Sequence, residues 1–234
     1  MILLAVDTSS GEGSPALGRE DGWRDVAPLP AEWKSTTLHG ELERLLARNG
    51  LQSRDLDGYA VASGPGPFTG LRIGLTAVKA LAEVHDKPIV PISTLEVLAA
   101  AARAELPADF SGELAPLRDA RRGQIFGALY HVERETMRRL IGESVGSIGA
   151  FLDRIKGTDS KDVRFCGTEI ALFASQIAQA GWDDTSLIAL RPGLAATLAR
   201  MGLEQLRAGK GIAAAAAEAN YIRPADAELF WKGS

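Results

Sequence analysis

The chain has 234 residues, 46% of them hydrophobic and 24% charged, with a net charge of −4. That length holds one large domain or two small ones, of ordinary soluble composition. The acidic balance argues against a self-sufficient nucleic-acid surface, since affinity for a phosphate backbone comes mostly from clustered Lys and Arg.

Residues 2–6 form a continuous apolar run, which predicts a strand buried on both faces. A polar turn, 7–14, follows, with further strands expected at 14–18 and 23–27. Between Trp33 and Asn49, Leu38, Leu42, Leu45 and Leu46 recur at helical spacing, and Gly50 closes that helix in the left-handed position. Residues 56–63 predict a strand, 71–85 a helix, 88–92 a strand and 94–105 an alanine-rich helix. The Pro- and Gly-containing stretch 106–112 is the best boundary, which sets an N-terminal lobe at 1–105 and a C-terminal lobe with tail at 106–234. In the second part, strands are expected at 114–119, 124–133, 163–166 and 186–190, and helices at 147–155, 170–180 and 194–209. Residues 213–217 read as a connection to Tyr221-Ile222-Arg223-Pro224. Arg121, Arg122, Arg138 and Arg139 are the dense basic features there, and a solvated surface is the default for such runs.

The one cysteine, Cys166, cannot form an internal disulfide. It follows Val163-Arg164-Phe165 and reads as a buried core thiol. The N-terminal apolar run is too short for the core of a signal peptide, and no apolar stretch approaches the roughly 18 residues of a membrane span. A cytoplasmic chain without membrane contact is expected. His39, His85 and His131 show no pair at i and i+4, and there is no Cys-x-x-Cys, so no metal site is expected.

The most informative stretch is Ser63-Gly64-Pro65-Gly66-Pro67-Phe68-Thr69-Gly70-Leu71-Arg72-Ile73-Gly74. It lies between a predicted strand and a predicted helix, where backbone N–H groups and the helix dipole can hold an anion. It fits neither Gly-x-Gly-x-x-Gly nor the Walker loop. Two readings stand side by side. Gly64, Gly66 and Gly70 permit a tight turn with Thr69 as the cap of the helix, or the loop contacts a phosphate.

As a whole string, this stretch resembles the signature of the TsaB family, which takes part in making threonylcarbamoyladenosine in tRNA. Asp7-Thr8-Ser9, Ile92-Ser93-Thr94-Leu95, Asp119-Ala120-Arg121-Arg122-Gly123-Gln124-Ile125 and Tyr221-Ile222-Arg223-Pro224 resemble the same family in the same order. The resemblance implies the actin/hexokinase-type ATPase fold, two related αβ lobes. It implies a noncatalytic subunit that binds TsaD, with TsaE in the same complex, tRNA contacted indirectly, ATP or ADP at the complex interface, and a homodimer when alone. No catalytic residue is assigned.

Nucleotide or anion contact is expected at Asp7, Thr8, Ser9, Gly64, Gly66, Thr69, Gly70, Asp119 and Arg121. The alternatives are structural: a strand-end turn capped by Asp7 and Ser9, and a salt-bridged Asp119–Arg121 pair. Glu169 after Gly167-Thr168 replaces a glycine that ATP-binding relatives use, which argues against close approach to a base. The resemblance places TsaD on the first two helices, and Leu38, Leu42, Leu45, Gly74, Ala77, Val78 and Leu81 are the expected contacts. Packing on the chain's own sheet is the competing reading of that stripe. Two functional rivals remain open: a small-molecule kinase of the same fold, with Asp119 as base, and a homodimeric nucleotide sensor.

Overall fold

The computed structural model describes residues 1–30, 33–134, 136–160 and 162–223. Pro224 of the tail motif lies outside them. The chain divides into two compact units: Met1–Val97 with Pro192–Asn220, and Leu98–Arg191 with the segment from Tyr221 onward.

The first unit is built on a five-stranded sheet in the order β3-β2-β1-β4-β5. Its strands are β1 (Ile2–Asp7), β2 (Ser14–Arg19), β3 (Arg24–Val26), β4 (Gly58–Gly64) and β5 (Ile89–Ser93). β1, β2 and β3 pair antiparallel, while β4 runs parallel to β1 and β5 parallel to β4. Strands covered on both faces must be apolar throughout, and β1 and β4 are buried along nearly their whole length. On one face Leu4, Val6, Tyr59 and Val61 meet the leucines of α1 (Ser35–Arg48) and Ala77, Val78 and Ala82 of α2 (Phe68–His85). Burial pushes the Tyr59 phenol up to about 12. Arg48 at the end of α1 donates to both carboxylate oxygens of Asp25, at 2.7 and 2.6 Å, and those bonds hold the Asp25 carboxyl below its usual range. Gly50 closes α1 at φ +66°, as the sequence predicts.

The opposite face carries α6 (Ala195–Arg207), against β1, β2 and β4. A Cβ on Gly202 would lie 2.6 Å from the Ala60 Cβ, and one on Gly18 would lie 3.1 Å from the Ala199 Cβ. This corrects the lobe boundaries. Residues 192–220 return to the first unit rather than staying with 106–234, and the division falls inside α3 (Thr94–Ala104), not after it. The stretch 106–112 marks a loop. An amphipathic pattern at 194–209 says that one face is buried, but not on which sheet.

The second unit repeats the topology. Its sheet, β10-β9-β6-β7-β8, comprises β6 (Ser111–Asp119), β7 (Gln124–Glu133), β8 (Thr136–Ser147), β9 (Val163–Gly167) and β10 (Leu187–Ala189). Again three consecutive strands pair antiparallel, and two parallel strands extend the sheet from the first of them. The two units are thus related αβ lobes of the actin/hexokinase type. Packed against the second sheet are α4 (Ile148–Lys156), capped by the Ser147 hydroxyl, and α5 (Ala174–Gln179). The predicted helix 170–180 is a 3-10 turn at Ile170–Phe173 followed by α5.

β8 is the element absent from the sequence reading, which saw only charge at Arg138 and Arg139. It is an edge strand paired to β7 alone, and irregular pairing at Gly127/Leu129 and Leu129/Tyr130 breaks its alternation. Charges and bulges are common at sheet edges because they discourage further pairing. Cys166 is fully buried as expected, and burial pushes its thiol up.

Gly202→Val should lower stability by about 1–3 kcal/mol, through overpacking against Ala60 and Leu3. Urea denaturation followed by circular dichroism measures it. An unchanged midpoint would mean that α6 does not seal the first sheet.

Candidate functional site

Two strand ends, those of β1 and β4, and the loops after them form the distinctive region of the first unit. Asp7 is buried, and its Oδ1 accepts from the Ser9 backbone N–H at 2.9 Å and the Ser9 hydroxyl at 2.6 Å. That closes a local turn at the end of β1. The glycine-rich segment lies against the turn. A Cβ on Gly66 would sit 2.8 Å from the Ser9 carbonyl oxygen, one on Gly70 would overlap the Thr8 carbonyl oxygen, and one on Gly74 the Thr8 hydroxyl. Gly64, at φ +116°, has the Asn220 carbonyl oxygen 2.8 Å from where its Cβ would be, and the Asn220 N–H donates to Ser63 O at 2.7 Å.

The structure therefore brings Asp7, Thr8, Ser9, Gly66 and Gly70 together, with Gly64 held against Asn220. The glycines serve contact between backbone segments of this chain. Thr69 is not the helix cap: α2 starts at Phe68 after Pro67, and Thr69 is exposed in its first turn. Pro67 supplies the entry conformation without a side-chain acceptor. The Thr8 hydroxyl is fully buried and has no hydrogen-bond partner among the described residues.

Asp119 and Arg121 belong to the second unit, in the turn between β6 and β7. Asp119 Oδ1 accepts from the Arg121 backbone N–H at 2.8 Å, while the Arg121 guanidinium is 3.7 Å from Oδ2 and 84% exposed. Asp119 thus secures a turn. Gly167 has its own internal reason, because a Cβ there would lie 2.5 Å from Leu117 O.

Most of the expected partner contacts are buried within the chain, while Ala77 also lines the outer groove of α1 and α2. Leu38, Leu42, Leu45, Ala77 and Val78 lie in the first unit's core, Gly74 is buried against Thr8, and Leu81 packs on that core half-buried. Periodicity locates the stripe, and the sheet takes it. On the outward side of α1 and α2, Ser35, His39, Arg72, Ile73, Thr76, Ala77 and Ala80 line a shallow groove of about 270 Å³. Ile73, Thr76 and Ala80 were missed. Their signal is a second row of small and apolar side chains on α2, offset from the buried row. Beside the groove, the Arg72 guanidinium stacks 3.7 Å from the Phe68 ring centre, and Val84 is 77% exposed further along.

Among the described residues no cluster of His, Cys, Asp and Glu could hold a metal, and no helix is long and apolar enough to cross a membrane.

The model of the family described as "TsaD: tRNA N6-adenosine threonylcarbamoyltransferase" matches residues 31–228. The tRNA threonylcarbamoyladenosine biosynthesis protein TsaB of Bacillus subtilis is 34% identical over 180 residues, 76% of this chain and 75% of that protein. The chain belongs to the TsaB family. The Haemophilus influenzae TsaB is 32% identical over 143 residues, covering 61% of this chain and 58% of that one. The structure of YeaZ from Pseudomonas aeruginosa superposes with a TM-score of 0.77 at 27% identity, covering 94% of this chain and 99% of the other. The likeness to YeaZ thus extends through both units.

Thr8→Val tests whether the turn serves packing alone. Replacing an unsatisfied buried hydroxyl by a methyl of the same shape should leave stability unchanged or raise it by about 1 kcal/mol, whereas Gly70→Ala should cost more than about 2 kcal/mol by forcing the turn off α2. Thermal melting of both variants decides it, and destabilisation by Thr8→Val would mean that the hydroxyl has a partner.

Proposed function

We propose that this chain is a noncatalytic subunit of the machinery that makes threonylcarbamoyladenosine in tRNA, and that it docks a TsaD-type transferase on the outer groove of α1 and α2. Membership of the TsaB family supports the pathway. The single observation that carries the docking is the groove itself: a row of small side chains, Thr76, Ala77 and Ala80, beside Ile73 on an 18-residue helix. Small side chains let a partner helix approach closely, and the half-exposed Ile73 gives apolar area to bury. Arg72 and His39 at the rim suit an acidic or polar edge on the partner.

In this reading TsaE joins the same complex, ATP or ADP binds at the complex interface, and the same groove pairs two copies when the transferase is absent. The work is done in the cytoplasm. The kinase rival draws less support, because Asp119 is occupied in closing its own turn and the glycine-rich loop is filled by Thr8 and Ser9.

Thr76→Arg and Ala80→Arg are the test, because both positions are exposed and neither belongs to the core. Each should weaken binding of the transferase about thirtyfold, equivalent to about 2 kcal/mol, with melting unchanged. Titration calorimetry and thermal melting of each variant read the two effects. Unchanged affinity in both variants would remove the groove from the interface.

A further inference from the structure

Thr8 is not the only fully buried residue of the first unit whose hydroxyl has no hydrogen-bond partner among the described residues. Ser14, the first residue of β2, is another. The two hydroxyls have different surroundings. The Thr8 side chain fills the space beside Gly74 and leaves no gap. A Cβ on Gly193 would lie 3.6 Å from Ser14 Oγ, an ordinary contact, and would meet nothing else within 4 Å among the described residues, its chain neighbours aside.

The sheet decides what Ser14 faces. Leu4 and Val6 point into the core under α1 and α2, so alternation puts Asp7 on the opposite face, the one that carries α6. Ser14 stands directly across from Asp7 in the β1–β2 register, four residues before Gly18, which meets Ala199 of α6. Ser14 and Asp7 are therefore neighbours on the α6 face. Directly opposed Cβ atoms are about 4.5–5.5 Å apart. The two side chains nevertheless make no bond to each other: both bonds from Ser9 end on Asp7 Oδ1, and Ser14 Oγ has no partner.

α6 brings the third group. Gly202 meets Ala60 and Leu206 meets Gly58, so the helix runs from the carboxyl end of β4 toward its amino end. Its N-terminus thus lies at the strand ends, and Gly193, two residues before the helix, is beside Ser14. The first N–H groups of a helix have no acceptor within it, and Leu194 at the N-cap supplies none from its side chain.

Charge selects what can sit among these groups. The positive end of α6 disfavours a cation, and the buried Asp7 carboxylate disfavours an anion. A small neutral molecule that both donates and accepts suits them. We propose that this chain binds one buried water at the N-terminus of α6. The water accepts from the Ser14 hydroxyl and from an α6 backbone N–H, and it donates to Asp7 Oδ2. Buried waters make about three such bonds to groups that otherwise lack partners. The water supplies the cap that Leu194 does not, and it commits the Asp7 oxygen that Ser9 leaves. The strand-end carboxylate then serves the fold through both of its oxygens.

Two measurements test the proposal, and both results are required. A crystal structure of the full chain, at a resolution that shows ordered water, should place one water within hydrogen-bond distance of Ser14 Oγ, Asp7 Oδ2 and an α6 N–H. A direct bond between Ser14 and Asp7, an ion or an organic molecule in that place, or no density there overturns it. Urea denaturation of Ser14→Ala should show the unfolding equilibrium shifted about fivefold toward the unfolded state, because the water loses one of its partners. A Ser14→Ala protein as stable as the wild type or more stable overturns it as well, since that is how a hydroxyl without a partner behaves.

Discussion

Where β1 ends, the Asp7–Ser9 turn meets α2 backbone to backbone, and the position of α2 depends on that contact. Gly66, Gly70 and Gly74 recur every four residues because each faces Thr8 or Ser9, with no room for a Cβ. The approach seats Ala77, Val78 and Ala82 over Tyr59 and Val61, and these together with the α1 leucines make the core. With the inner row fixed, Ile73, Thr76 and Ala80 have one orientation left, toward the outside. The glycine string that resembles a ligand cradle is thus first a packing device, and the outer groove follows from it.

Much of this was readable from residues alone. Continuous apolar runs marked β1 and β4 because strands covered on both faces must be apolar. The heptad-like leucines marked α1, and Gly50 marked its end. The loop glycines were legible as special, but their partner was not. A strand-to-helix glycine turn that cradles phosphate and one that admits a neighbouring backbone have the same composition. The direction of the helix stripes failed for a related reason. Leu38, Leu42 and Leu45 are the strongest periodic signal on α1, and the strongest signal belongs to the chain's own core, so a docking face has to be sought in the weaker row beside it.

Two further misses have physical causes. β8 carries exposed arginines and disrupted pairing, both expected of an edge strand and both erasing the period of two that identifies strands. α6 is clearly amphipathic, yet its destination is set by Gly18 and Gly202, which thin two surfaces far apart in sequence so that helix and sheet can meet. Complementarity of that sort is a property of pairs, and one sequence shows only its separate halves.

The positions that resist local rules are also those least explained by packing. The Thr8 hydroxyl is buried without a partner among the described residues, and Arg121 stands at φ +64°, where Asn, Asp or Gly fits better. The two differ in what folding gains from them. The Thr8 side chain, hydroxyl foremost, fills the space where a Cβ on Gly74 would lie, so it has a structural use in packing. Arg121, 84% exposed, has no such compensation: its guanidinium reaches Asp119 only at 3.7 Å, and the bond that matters to the turn is made by its backbone N–H, which glycine would also supply.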